Sequence, residues 1–360
     1  MNETVHIGTR KGLFQFTRTA PGQWQRSETA FLGDPVTMVL TDPRTGDRYA
    51  GLNHGHFGVK LHAARAGTNE WKEIGTPAFP KVEDGDGPTV ELIWELVTGG
   101  DDEPGTLWAG TIPGGLFKST DNGESWRLID ALWQKPERDK WFGGGYDKPG
   151  IHSICVHPHD SNTIRLAISC GGVWESTNGG KTWQQTGQGL RAAFMPPELA
   201  YDPVSQDPHR MVQCPASPDH LWIQHHNGIF RSEDGGHNWT EFTDVSPSVF
   251  GFAVAVHPTQ PDTAWFVPAI KDEHRIPVDA QLVVTRTRDG GKTVETLTRG
   301  LPEEPAYDLI YRHSLDIDAS GDLLAFGSTT GNLWVSEDQG DHWQCLSKHL
   351  PPINVVRFDP

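Results

Sequence analysis

Basic residues are the scarce charge in this chain: 30 Lys and Arg stand against 47 Asp and Glu, a net charge of −17. No block of Lys or Arg is present that would neutralise a run of phosphates or lie on an anionic bilayer, so neither nucleic acid nor a membrane surface is an expected partner. Apolar residues make up 36% of the chain and never run for the roughly 18 in succession that a membrane helix needs. The opening MNETVHIGTRKGLFQF has neither a basic leader nor an apolar stretch behind it, and a cytoplasmic location is expected. Cysteine is equally sparse. Cys155, Cys170, Cys214 and Cys345 are too few and too widely spaced to staple 360 residues, and no Cys-x-x-Cys pair marks a structural zinc site. They are expected to be reduced.

Glycine and proline, by contrast, are plentiful at 40 and 27, the composition of many short strands joined by tight turns. One phrase recurs among them: STDNGESW at 119–126, STNGGKTW at 176–183, SEDGGHNW at 232–239, TRDGGKTV at 287–294 and SEDQGDHW at 336–343. An Asp such as Asp121 in this spacing can accept backbone N–H groups of its own turn, and the preceding Ser or Thr does so more weakly. The Gly suits a left-handed backbone and the closing Trp supplies a large apolar plate. These carboxylates are therefore read as parts of a turn rather than as catalytic acids.

With the degenerate TRTAPGQW ending at Trp24 and ARAGTNEW ending at Trp71, the closing positions are spaced 47, 55, 57, 56, 55 and 49 residues apart. Seven units of about four strand-like runs follow, which predicts an all-β, seven-bladed β-propeller forming a single domain over 1–360. The first unit lacks an opening strand, and INVVRFDP at the end is an opening strand with nothing after it. Blade one is accordingly expected to combine 1–25 with 352–360, and blades two to seven to fall at about 35–75, 90–130, 150–187, 207–243, 250–298 and 308–347.

The five boxes, together with AGTIPGGLFKS at 109–119, resemble the bacterial BNR/Asp-box repeat proteins, often labelled sialidase-like or glycosyl hydrolase BNR-repeat proteins of the WD40/YVTN/BNR-like propeller group. The resemblance covers essentially the whole chain and implies the fold far more than an activity. It implies six blades and an early Arg-Ile-Pro for a genuine sialidase, with three arginines on the substrate carboxylate. Here the only Arg-Ile-Pro is Arg275-Ile276-Pro277, in the sixth of seven units, and no arginine triad can be assigned. Sialidase activity is not expected.

The longer insertions, 76–90, 128–150, 188–208 and 270–280, all fall on the face opposite the boxes, which marks that face as the working one. Counting back five residues from the dipeptides that end the innermost strands places His152, His209 and His313 at the channel mouth on this face. Cross-strand counting adds His226 beside His209, and His54 at the matching place in blade two. Five gathered imidazoles suit one divalent metal ion (Mn, Fe, Zn or Ca) or, equally, a metal-free polar pocket with a general acid and base. His209, His226 and Arg312 are the expected catalytic groups, and Arg10, His56, His225, Tyr146 and Glu95 the expected substrate contacts. Trp133 and Trp141 either stack on a sugar or anchor their loop. Two functions remain open: a lyase or hydrolase acting on a small polar or carbohydrate-like compound, and a non-catalytic scaffold that binds a protein partner.

Overall fold

Seven antiparallel sheets of four strands each surround a central axis in the computed structural model of the chain, which describes residues 3–82 and 87–360. Around the channel run the innermost strands Val36–Thr41, Leu92–Thr98, Ile151–His157, Pro208–Cys214, Gly251–Val256, Leu315–Ile317 and Ile353–Phe358, each against its neighbours. The last of these pairs with Thr4–Thr9, and Gly12–Ala20 and Gln23–Ala30 complete that sheet. Val5 lies opposite Phe358 and Ile7 opposite Val356. His6 and Thr41 both hydrogen-bond the Asp359 carboxylate, at 2.8 and 2.7 Å, tying the closing strand to the first and second blades. The first blade is thereby completed as a four-stranded sheet like the other six.

The repeated turns explain why the sheets stand where they do. Ser119 Oγ accepts the Gly123 N–H at 2.9 Å and donates to Asp121, whose carboxylate accepts the Ser125 N–H at 2.9 Å and the Ser125 hydroxyl at 2.6 Å. The pattern returns around Asn178, Asp234, Asp289 and Asp338. Each turn also reaches the neighbouring blade. Gly180 has φ +83°, and a Cβ there would lie 3.2 Å from the fully buried Trp108 of the preceding sheet. Glycine is needed at this joint for its backbone conformation and leaves room for the indole.

Helical structure among the described residues is limited to one turn at Asp130–Trp133 and four short 3-10 segments, and no described helix is long and apolar enough to cross a membrane. The 128–150 and 188–208 connections and the 270–280 turn lie on the face opposite the repeated turns, as strand alternation dictates. Residues 83–86 of the 76–90 connection lie outside the described residues. Trp141 is buried edge-to-face on Trp174, and Trp133 sits between Phe79 and the Arg138 guanidinium, so both indoles anchor loops.

Candidate functional site

The innermost strands splay at the loop face, and the connections that enter them supply the lining of a cavity of about 300 Å³. Arg10 comes from the hairpin of blade one, Arg275 from the long turn of blade six, and Arg312 from the residues that lead into blade seven. Trp94, Phe252 and Tyr146 supply the aromatic walls. Three arginines, from blades one, six and seven, thus line one cavity.

Arg312 has an unusual setting for a cation. It is 6% exposed, and its guanidinium carbon lies 4.9 Å from the Trp94 ring and 5.3 Å from the Phe252 ring. Among the described residues it makes no hydrogen bond or ion pair, and its Nε is sealed without a partner. Burial pulls its pKa down, and the nearby Asp207 charge only partly offsets this. Flanking π-faces recover about 0.5–2 kcal/mol of the desolvation cost, well short of the several kcal/mol that a buried ion loses. Arg275 is better provided for: it donates to Asp272 at 2.5 Å, and its guanidinium carbon lies 5.3 Å from the Phe252 ring.

Beside the pocket stands a second cluster. Asp207 ends the 188–208 connection, and His209 follows it two residues later on the entering strand, so the two side chains share a face. The adjacent strand turns at His226. The Asp207 Oδ2 lies 3.5 Å from His209 Nε2 and 3.3 Å from His226 Nδ1, and all three atoms are within 4.8 Å of one another. His209 stacks flat on Phe252 at 4.4 Å, and a Cβ added to Gly144 would meet Asp207 Oδ1 at 3.1 Å. Phe252 and Gly144 both line the pocket, so the cluster lies directly behind its wall.

Deeper in the channel, Glu95 is 1% exposed and meets Arg210, with His313 Nε2 at 3.5 Å and Arg357 at 3.6 Å. Burial alone would raise the Glu95 carboxyl; Arg210, His313 and Arg357 together hold it far below its ordinary value. This buried ion cluster separates the loop-face pocket from a second opening on the other face, lined by Arg357, Asp316, Asp359 and apolar strand residues.

The histidines expected to converge divide into three groups. His209 and His226 meet, with their rings 5.4 Å apart. His313 donates to the His152 carbonyl at 2.9 Å, and the His152 ring is sealed against Trp94. His54 lies out in the blade-two turn, 3.5 Å from Asp34, because that turn is a 3-10 loop that carries it away from the axis. His56, in the same turn, stacks on Phe57 and is exposed. His225 is fully buried, accepts the Asp207 N–H at 3.1 Å and has its pKa pushed down to about 3 by burial. Of the expected substrate contacts, Arg10 and Tyr146 line the pocket, whereas Glu95 and His225 are sealed from it. Asp207, Arg275 and Phe252 were not singled out as site residues from sequence. The Asp-x-His spacing at a strand entry was the available signal for the first of them.

No protein-family profile matches the chain. A curated relative, a probable oligoxyloglucan-reducing end-specific xyloglucanase from Neosartorya fischeri, is 26% identical over 284 residues, covering 71% of this chain and 32% of its own. The chain thus spans about a third of that relative. An ancestral GH74 enzyme superposes with a TM-score of 0.58 at 16% identity, over 90% of this chain and 38% of its own. YCF48 bound to D1 peptide superposes with a TM-score of 0.54 at 14% identity, over 86% of this chain and 82% of its own. At these identities the structural likenesses establish the propeller architecture.

Proposed function

We propose that the chain is a glycoside-hydrolase-like propeller enzyme that takes a small acidic, carbohydrate-like compound into the axial pocket. The observation that carries this reading is the unpaired Arg312 guanidinium, buried between Trp94 and Phe252 and facing the cavity. A ligand carboxylate would provide the two parallel acceptors that an arginine fork prefers, with Arg10 and Arg275 adding charge. Half-exposed Tyr146 offers an aromatic edge and a hydroxyl to a sugar ring. The likeness to a named xyloglucanase supports a carbohydrate over other small acids. His209 and His226 carry the chemistry, either as acid and base or as ligands to a metal ion that activates water.

Calorimetry with a hexuronate and its matching neutral hexose tests the ligand class. Saturable binding of the hexuronate, at least about tenfold tighter than the hexose and lost in Arg312→Ala, is expected from one charge-assisted pair. Equal affinities, or an Arg312→Ala protein that binds unchanged, would overturn it. Release of new reducing ends from uronate-containing oligosaccharides, absent in His226→Ala, tests catalysis.

A protein partner on the same face is the second reading. It is favoured by the exposed large apolar side chains, Phe57, Phe194, Tyr201 and Tyr307 among them: every one of the ten among the described residues lies in a loop of this face. Under that reading, substitution of Tyr201 and Tyr307 weakens association while Arg312→Ala leaves it intact.

A further inference from the structure

We infer that Asp207, His209 and His226 bind a divalent transition-metal ion of the zinc or iron kind behind the wall of the axial pocket. This goes beyond the ligand assigned to the pocket and does not depend on it.

The first ground is a conflict of lone pairs that a cation resolves. His209 Nδ1 lies 2.7 Å from the Gly251 carbonyl, which can only accept, so Nδ1 carries the proton. In the neutral ring, Nε2 then presents a lone pair to the Asp207 carboxylate oxygen 3.5 Å away. His226 Nδ1 is likewise sealed from solvent without a hydrogen-bond partner among the described residues, although its side chain is 22% exposed at the far edge.

The second ground is dimension. Metal–nitrogen and metal–oxygen bonds of about 2.0–2.2 Å arranged tetrahedrally set ligand atoms roughly 3.3–3.5 Å apart. The separations from Asp207 Oδ2 are 3.3 and 3.5 Å. Asp207 Oδ1 is held by the Cys170 N–H at 3.2 Å and the Ser169 hydroxyl at 3.4 Å, which leaves Oδ2 for the ion. The Gly251 carbonyl fixes the His209 tautomer in the way that supporting contacts orient metal-bound imidazoles. Two imidazoles and one carboxylate suit zinc or ferrous iron better than calcium, which prefers oxygen. Three protein ligands leave a position for water, on the side where His226 meets solvent.

Titration of Co²⁺ alone into untagged, chelator-treated protein tests the site. One equivalent with a visible d–d absorption band, displaced by Zn²⁺, is expected, together with a rise in the unfolding midpoint. His226→Gln should weaken Co²⁺ by more than about 100-fold, because loss of a ligand exceeds the 10–100-fold cost of losing a supporting contact. His54→Gln should bind like the parent. Absence of saturable binding to the parent protein overturns the proposal, as does a His226→Gln protein that binds as tightly. Unfolding midpoints in chelator confirm that each variant is folded. No sugar enters the assay, so a negative result leaves the acidic-ligand reading standing, and a failed hexuronate titration leaves the metal site standing.

Discussion

On the face of the ring that carries the repeated turns, the turn carboxylates are answered within their own turns; on the opposite face, Arg312, Asp207 Oδ2, His209 Nε2 and His226 Nδ1 make no hydrogen bond among the described residues. Hydrogen bonds from Ser125 and Ser119 hold the Asp121 carboxyl below the ordinary carboxylate range and leave it little capacity for anything else. Both faces are built on the same four-stranded unit, yet one closes its polar groups locally and the other leaves charge to be met from outside. The difference teaches where to look in a repeat protein: the conspicuous motif marks the joints, and the function collects where the units differ.

Four measurements would break or sharpen that contrast. The largest effect is expected from Glu95→Gln, at the boundary between the two mouths, which leaves the Arg210 and Arg357 guanidinium groups buried beside a neutral amide. Breaking such a cluster costs about 3–5 kcal/mol, read as a shift in the urea midpoint. A loss below about 1 kcal/mol would mean that the channel centre is as tolerant as the rim.

Acid comes next. His225 and His313 have folded pKa values of about 3 and about 4, lowered chiefly by burial, against about 6.5 in an unfolded chain. The unfolded state therefore takes up protons first as pH falls. Stability is complete above about pH 6.5 and declines toward pH 4 by on the order of 1 kcal/mol per pH unit for each histidine. The turn carboxylates titrate lower, so a decline already visible between pH 6.5 and 5 belongs to buried imidazoles, of which the most strongly shifted, His225 and His313, lie on the axial side and His257 adds a part from the turn face. A flat profile over that interval would remove the distinction.

Asp234→Ala on the turn face should cost about 1 kcal/mol for its lost hydrogen bonds and leave hexuronate affinity unchanged. A weakened ligand would show that the two faces are coupled. Arg10→Ala should be the gentlest to the fold, within about 0.5 kcal/mol, as exposed substitutions usually are. It should still lower hexuronate affinity about tenfold. Unchanged affinity would confine anion recognition to Arg312 and Arg275.

The ring was legible because its signal is local and repeated: box spacing counts the blades, and the unpaired runs VHIGTR and INVVRFDP announce their own pairing. The site was legible only as far as a strand register can be counted. Counting put His226 beside His209, since both lie on adjacent strands of one hairpin. It carried His54 too near the axis, because Gly55–Phe57 winds into a 3-10 turn that no strand count anticipates. Asp207 was hidden inside a connection, where an Asp before Pro reads as turn chemistry. Arg275 was hidden in a charged run, LysAspGluHisArg in sequence, whose last member folds back over Phe252. Long-range assembly of this kind leaves no periodic trace.

The closing strand has a practical corollary. Asp359 donates its N–H to the Thr4 carbonyl at 2.9 Å, so the closing strand and Thr4–Thr9 are joined on the turn face, away from the pocket. A short linker could join them and new ends could be cut into any exposed hairpin of that same face. Such circular permutants would keep the pocket while testing whether the ring needs its seam in one particular blade. A surface anchor placed at the natural seam would present the pocket outward.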